Sequence, residues 1–591
     1  GTASPTSGCN LHIKDTTDAI LKIESTQTGT DMGGIQIYHN TSSPADNDSL
    51  GYIQFNGNDS GASAHNYVNI SAYSDDVTGG TEDGRLQFQV IENASTVTMF
   101  KLSAGSRISL SNNDSGGTGD EDSNSGNTVF GYLAGNSIDD GSIRNIFIGH
   151  RAGSGSLNDA TNNTMIGGNS GRGLTTGDSN TALGYNAGRT IATGEKNVLL
   201  GELAGYNIYQ RSNNVYIGYE AGKIIDGGGD NTAIGYQSML SSGTAGNNTN
   251  EGNTAVGYQS LLSITTGDKN VAVGYGAGDA LTTGGVNVMI GQSAGTGTTD
   301  VDGAVIIGSN AGIANMTSGA DNTVAIGTDA LRSLTSGAGN IAIGYQALKV
   351  HTTGIRNIAI GYQAMNDTDA GSTSLASEDN IFIGQDAGGG TWTNVASSQN
   401  VGIGTYSMDS ALAGAMRNTA VGYWTLSAVT SGGDNVVMGR AAGNSITTTS
   451  NTVLIGNSAG TAINHTGANG TVAIGYQVAQ ALTSGAQNTI YGYQGAKGIT
   501  TGSYNVVMGY AALDAADGGE SNNISIGTNS MGSINHDNSD HNVAIGDSAL
   551  LGGTGTVTKN VAIGSNAMGT GVGNNDQTGT VAIGYDALQD L

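Results

Sequence analysis

From Gly131 to Gly584 the chain repeats one short phrase, an Asn, three mostly apolar residues and a Gly, and this repetition restricts the fold more than any other property of the sequence. Asn197-Val198-Leu199-Leu200-Gly201, Asn270-Val271-Ala272-Val273-Gly274, Asn340-Ile341-Ala342-Ile343-Gly344 and Asn560-Val561-Ala562-Ile563-Gly564 show it cleanly. The same register holds at Asn231 with Gly235, Asn357 with Gly361 and Asn505 with Gly509. There are 26 such glycines, and 13 of the 25 intervals between them are 17 residues, so the units stack on one continuous core instead of folding as separate domains.

Three residues after the glycine stands Ala or Ser in 23 of 26 units, among them Ala187, Ser260, Ala347 and Ala549, which implies close packing there. A Thr-Thr-Gly or Thr-Ser-Gly turn follows, as at Thr175-Thr176-Gly177 and Thr335-Ser336-Gly337. One unit therefore reads as strand, turn, short second strand, turn. Two strands of roughly five residues are too short to stand alone, so coils must stack in parallel at ~4.8 Å, giving an array about 120 Å long. Asn at a fixed turn position is suited to a side-chain ladder, and Gly to backbone angles or a close approach that a Cβ forbids. The three residues before the glycine lack polar alternation and so read as a strand buried on both faces. A coil this thin has one interior, and a neighbouring chain is the natural cover for the other face, giving a homotrimer; a single-chain solenoid of broader cross-section is the alternative.

Composition agrees. With 99 Gly, 2 Pro and 12% charged residues the chain is too regularly apolar for disorder and too rich in Gly for helices, so the class is all-β. A net charge of −28 argues against nucleic acid as a partner and suits the solubility of a long, surface-rich molecule. Cys9 is the single cysteine, which excludes an intrachain disulfide framework, and no apolar run is long enough for membrane insertion. The sequence opens at Gly1 without a signal-peptide core, so export would require a targeting segment already removed, or release by lysis.

Three segments are expected: an N-terminal β domain over 1–111, a Gly, Ser and acidic junction over 112–126, and the tandem-repeat β-roll over 127–591. In the first, stretches such as Ala19-Ile20-Leu21-Lys22-Ile23, Gly51-Tyr52-Ile53-Gln54-Phe55, Tyr67-Val68-Asn69-Ile70-Ser71 and Arg85-Leu86-Gln87-Phe88-Gln89-Val90 alternate as half-buried strands do.

The unit Asn-(Val/Thr)-Ala-(Ile/Val)-Gly resembles the head repeat of YadA-like trimeric autotransporter adhesins, which implies a trimeric left-handed parallel β-roll. Its longer form, Asn253-Thr254-Ala255-Val256-Gly257-Tyr258-Gln259-Ser260-Leu261 with Thr265-Thr266-Gly267, is similar to repeats in tail fibres of marine bacteriophages. The resemblance covers about four-fifths of the chain. There is no heptad stalk and no C-terminal membrane β-anchor, and Gly34-Ile35-Gln36-Ile37 with Glu82-Asp83-Gly84-Arg85-Leu86 resembles a small module of phage fibres, so the fibre reading leads. It implies a non-enzymatic structural or adhesive fibre, extracellular or on a virion surface, that contacts a host glycan or receptor. The alternative is a self-polymerising extracellular filament or a cell-surface adhesin. Such fibres resemble products of a self-cleaving C-terminal chaperone. The sequence stops at Leu591 inside a turn, so a removed chaperone, a tip protein or the N-terminal domain of another copy is expected to cover that end.

Catalysis finds no foothold: no nucleophile elbow, HExxH, P-loop or strand-linked GxGxxG stands in a suitable context, and no cofactor or metal is implied. Paired carboxylates across coils, as in glycan-cutting spikes, cannot be read from spacing. Asp120-Glu121-Asp122-Ser123-Asn124-Ser125-Gly126 fails as an EF-hand because Ser125 and Gly131 stand where Gly and Glu are needed. His536-Asp537-Asn538-Ser539-Asp540-His541 reads as an exposed loop. Tyr follows the repeat glycine in 13 of 26 coils and is expected to stack, as at Tyr219 with Tyr236 and Tyr345 with Tyr362. The next position is usually Gln, Asn, Asp or Ser, but Tyr406 and Trp424 break that rule beside the longest insertions. Trp392, Tyr406, Tyr423 and Trp424 are therefore the candidate glycan-contact patch, with packing of the insertion loops as the plainer reading.

Overall fold

The structure is a computed structural model that describes residues 35, 37, 39, 43–58, 64–78, 83–92, 95–102, 106–109, 126–225, 227–241, 248–368, 377–393, 395–569 and 576–589. Cys9, the strand expected at 19–23, the acidic stretch 120–125 and Leu591 lie outside the described residues. The chain divides into two compact units, residues 1–108 with 130–133, and the remainder.

The first unit carries an antiparallel meander of β1 (Ser49–Asn58), β2 (Ala64–Asp76), β3 (Asp83–Glu92) and β4 (Ser95–Leu102), in that order across the sheet. Ile53 pairs with Ile70 and Ile70 with Phe88, so the alternating segments do pair with one another. β1 is an edge strand and keeps Tyr52, Ile53 and Phe55 exposed, so the sheet alone does not bury its apolar residues.

The chain from the strand Thr128–Tyr132 to the strand Val581–Ile583 is a parallel β-solenoid of about 26 coils, which makes up nearly all of the second unit. After the five-residue Thr128–Tyr132 each coil contributes one three-residue strand to this stack, the coils of Gly546 and Gly564 adding a short second strand at Val557–Thr558 and Gln577–Thr578. Equivalent residues face each other without slip: Leu199 opposite Tyr216, Tyr216 opposite Ala233, Ala233 opposite Ala255. The expected pair of five-residue strands is corrected to one of three. Within a single coil Gly257, Gln259, Leu261 and Lys269 hold φ of 136°, 53°, 48° and 57°, and a strand cannot run through left-handed residues. The rest of the coil is turn, yet it still stacks by backbone hydrogen bonds, Leu261 N–H to Ala277 O at 3.0 Å and Thr265 N–H to Thr282 O at 2.8 Å.

Inside runs the expected asparagine ladder. Asn214 donates its backbone N–H and its Nδ2 to Asn197 Oδ1, both at 3.0 Å, while Asn197 Nδ2 donates to Asn180 Oδ1 and to the turn carbonyl of Arg211. Every polar atom of the Asn197 side chain is thus used, which is what allows an amide to be wholly buried. The same contacts recur at Asn270, Asn357, Asn505 and Asn560, and Asn231 and Asn340 hold the same buried position. Ala304 interrupts the side-chain ladder but keeps its backbone donor, and Thr452 keeps both, donating its backbone N–H and its hydroxyl to Asn435 Oδ1.

The repeat glycine answers to two constraints together. Gly201, Gly235, Gly274, Gly344, Gly361, Gly509 and Gly564 lie at φ between 132° and 148°, a region strained for any L side chain. A Cβ there would also collide with the glycine carbonyl of the next coil, for Gly291 at 2.6 Å from Gly308 O. The small residue three places on, such as Ala187, Ala347 or Ser260, is fully buried.

The strand triplet divides between two environments. Its middle residue, as Leu199, Ala272 or Ala342, is fully buried inside the coil, whereas the flanking aliphatics point outward and remain partly open, Val273 at 36% and Ile290 at 37%. Repeated coil after coil, the flanking residues form an aliphatic column along the outside of the solenoid.

Candidate functional site

On regular coils the two residues after the glycine form two outward columns. Tyr219, Tyr236, Tyr258 and Tyr275 stack with ring centroids 5.2, 5.3 and 4.8 Å apart, and Tyr345 stacks on Tyr362 at 5.2 Å. Beside them the next residue is left-handed, and its side chain hydrogen-bonds along the column: Gln259 Nε2 to Gln237 Oε1 at 2.9 Å and Gln363 Nε2 to Gln346 Oε1 at 3.1 Å. The polar residues noted in the sequence at this position are therefore selected by backbone conformation as well as by solvent.

Two adjacent coils depart from this. Tyr406 and Trp424 occupy the left-handed position, each at φ 56°, where a bulky residue costs roughly 1–2 kcal/mol. Trp424 stacks on Tyr423 at 5.2 Å, and Tyr406 meets Tyr423 edge-on at 6.2 Å and Trp424 at 6.4 Å. Tyr423 and Trp424 are 41% and 46% exposed and Tyr406 is half-buried beside them, so the rings join the two outward columns into one aromatic surface.

Trp392 is not part of it. It is fully buried, donates its indole N–H to Gly388 O at 3.0 Å and meets Phe382 edge-on at 5.9 Å. Gly402, at the usual inward position of the next strand, makes room for the Phe382 ring against which the indole packs. For this residue the insertion-packing reading holds, and the four-residue patch is corrected to Tyr406, Tyr423 and Trp424.

Polar groups border the rings. Gln385 Nε2 donates to the Tyr406 hydroxyl at 3.4 Å and to Asp386 Oδ2 at 3.2 Å. Burial, and then the neighbouring Asp386 charge, push the Asp409 carboxyl up to about 6. A reading of aromatics alone misses Gln385 and Asp386; Gln385 directly follows Gly384, where tyrosine is common, and that substitution is the available signal. An apolar ring face flanked by an amide and carboxylates suits the two sides of a sugar, its C–H face and its hydroxyl edge.

No helix among the described residues is long and apolar enough to cross a membrane. Compared with known proteins, the chain matches no family model, no curated protein and no solved structure.

Proposed function

We propose that this chain is the shaft of a homotrimeric, non-enzymatic fibre at an extracellular or virion surface, and that the Tyr406, Tyr423 and Trp424 surface contacts host glycan. The observation that carries the trimer is the outward aliphatic column. The flanking residues, aliphatic on most coils and Thr on others such as Thr181, Thr232 and Thr254, are intermediate to exposed, and over about 26 coils they leave on the order of 1,000–2,000 Å² of apolar surface open, the scale of a stable interface. A monomer exposes contiguous patches several-fold smaller. Sister chains related by a symmetry axis parallel to the solenoid would cover the column along its whole length, because the coils repeat in register. The ordered polar exterior elsewhere and the charge of −28 support a soluble, projecting assembly.

Light scattering on the purified 59.1 kDa chain tests this, with a mass of three chains expected at micromolar concentration. A monomer would overturn the reading. Micrographs showing filaments of indefinite length would replace the fibre by a polymerising subunit.

A further inference from the structure

Beyond the fibre reading, and independent of it, we propose that Asp517, Glu520 and Asp537 form a calcium site that clasps two successive coils. Asp517 and Glu520 belong to the outer turn of the coil of Gly509, and Asp537 to the corresponding turn of the coil of Gly527. One carboxylate oxygen from each lies within 4.8 Å of the others, the only such group among the described residues. Acidic clusters on solvent-facing loops are common and bind nothing. This one is distinguished by Glu520, whose side chain is fully buried and whose Oε1 has no hydrogen-bond partner, while Oε2 accepts only the Gly518 N–H at 3.1 Å. A buried carboxylate oxygen without a partner is costly, and two further carboxylates beside it increase the cost. Burial pushes the Glu520 carboxyl up; the opposing backbone N–H groups of Glu520 and Gly518 come next, and the Asp517 and Asp537 charges add a lesser upward push.

Gly518 contributes by omission, since a Cβ there would overlap the Asp537 carboxylate; the absence of a side chain is what lets the second coil bring its acid in. His536 is turned to its own loop, its Nδ1 accepting the Asn538 N–H at 3.3 Å, so the donor set is oxygen only. Three carboxylates from the turns of two coils, with no thiolate or imidazole among them, fit the variable oxygen coordination of calcium better than the strict octahedron of magnesium.

The test uses the full chain, stripped with EDTA and titrated with calcium chloride in 150 mM salt, read by calorimetry and by hydrogen exchange. In the native protein, amide exchange across 518–521 is expected to slow at least tenfold with calcium and to be unaffected by equal magnesium. Glu520→Gln should lose at least tenfold in calcium affinity, yet be as well protected as the native chain in EDTA, because the buried charge is gone. Asp537→Asn, at an exposed position, should also weaken binding without unfolding the coil. Calcium affinity unchanged in both variants, exchange in the native chain that ignores calcium, or equal effects of magnesium would each overturn the site.

Discussion

Two stretches of the solenoid carry the same interior on different loop lengths. From Asn253 to Asn287 the ladder asparagines are 17 residues apart, whereas from Asn357 to Asn418 successive gaps are 23, 20 and 18. Asn270 Nδ2 reaches Asn253 Oδ1 at 3.1 Å, and Asn380 Nδ2 reaches Asn357 Oδ1 at 3.0 Å across the longest gap. Strand register is equally indifferent, Ile358 lying opposite Ile381 as Ile341 lies opposite Ile358. Register is held by the Asn, the strand triplet and the Gly, so extra residues are accommodated in the turns at little cost to the stack. Of the aromatic surface only Tyr406 lies in the irregular stretch; Tyr423 and Trp424 open the next coil, where the 17-residue spacing resumes from Asn418 to Asn435.

The severest way to break the comparison is to give the ladder a side chain it cannot hold. Gly274→Ala and Gly361→Ala place a Cβ at φ 143° against the next glycine carbonyl, one in each stretch. Both are expected to cost at least ~3 kcal/mol, from backbone strain together with steric overlap. Thermal unfolding and limited proteolysis would read the loss. If Gly361→Ala proved much milder than Gly274→Ala, the 23-residue coil would be relaxing around the defect and register would depend on loop length after all.

Much of this architecture is legible in the sequence because a solenoid repeats its constraints. The Asn at 197, 270 or 357 and its Gly four residues later recur often enough to announce a ladder, and the ladder is there. The second strand was misread because residues such as Leu261 and Leu348 look like strand formers, while their φ of 48° and 50° is imposed by the tight turn around the core. Trp392 was misplaced for a related reason. It packs edge-on against Phe382, ten residues earlier, with its indole N–H satisfied by Gly388 O, and no local pattern of aromatics encodes that.

A smaller effect is read by pH, between the coil that precedes the irregular stretch and the Asp409 coil within it. Most coils put an aliphatic residue at the second inward position, as Leu334 does, but the coil of Gly344 has His351 there, fully buried, with Nδ1 3.1 Å from Thr368 Oγ1 and Nε2 3.0 Å from Gly354 O. Burial holds its imidazole down at about 4. The unfolded chain takes up this proton near 6.5 and the folded chain does not, so the contribution of His351 is full above pH 6.5 and falls by roughly 3 kcal/mol as pH drops to about 4. Asp409 acts in the opposite sense: its raised carboxyl makes stability fall as pH rises from the ordinary carboxylate range through about 6. His351→Leu should therefore remove the acid-side loss and leave the weaker Asp409 trend exposed. Melting temperatures from pH 7 to pH 4 that are parallel for the two proteins would show that the histidine titrates normally and is not sealed inside.

The smallest expected change in stability is at Trp424, and there stability and ligand binding should move in opposite directions. At φ 56° the indole is held where Gln or Asn stands on other coils, and Gln363 shows that an amide there gains a partner in the neighbouring coil. Trp424→Asn removes a bulky left-handed residue in favour of one that tolerates the conformation, which should stabilise the chain by about 0.5–1 kcal/mol. Stacking on Tyr423 opposes this by a similar amount, so the net change is expected to be near zero or slightly favourable. Binding to glycan arrays or host cells should nonetheless fall at least tenfold, because the ring face is lost while the fold is intact. A residue kept only for packing would behave the other way, with Trp424→Asn melting earlier and binding unaltered. Strain that lowers stability and raises affinity is what distinguishes a ligand surface from a loop that has merely been filled.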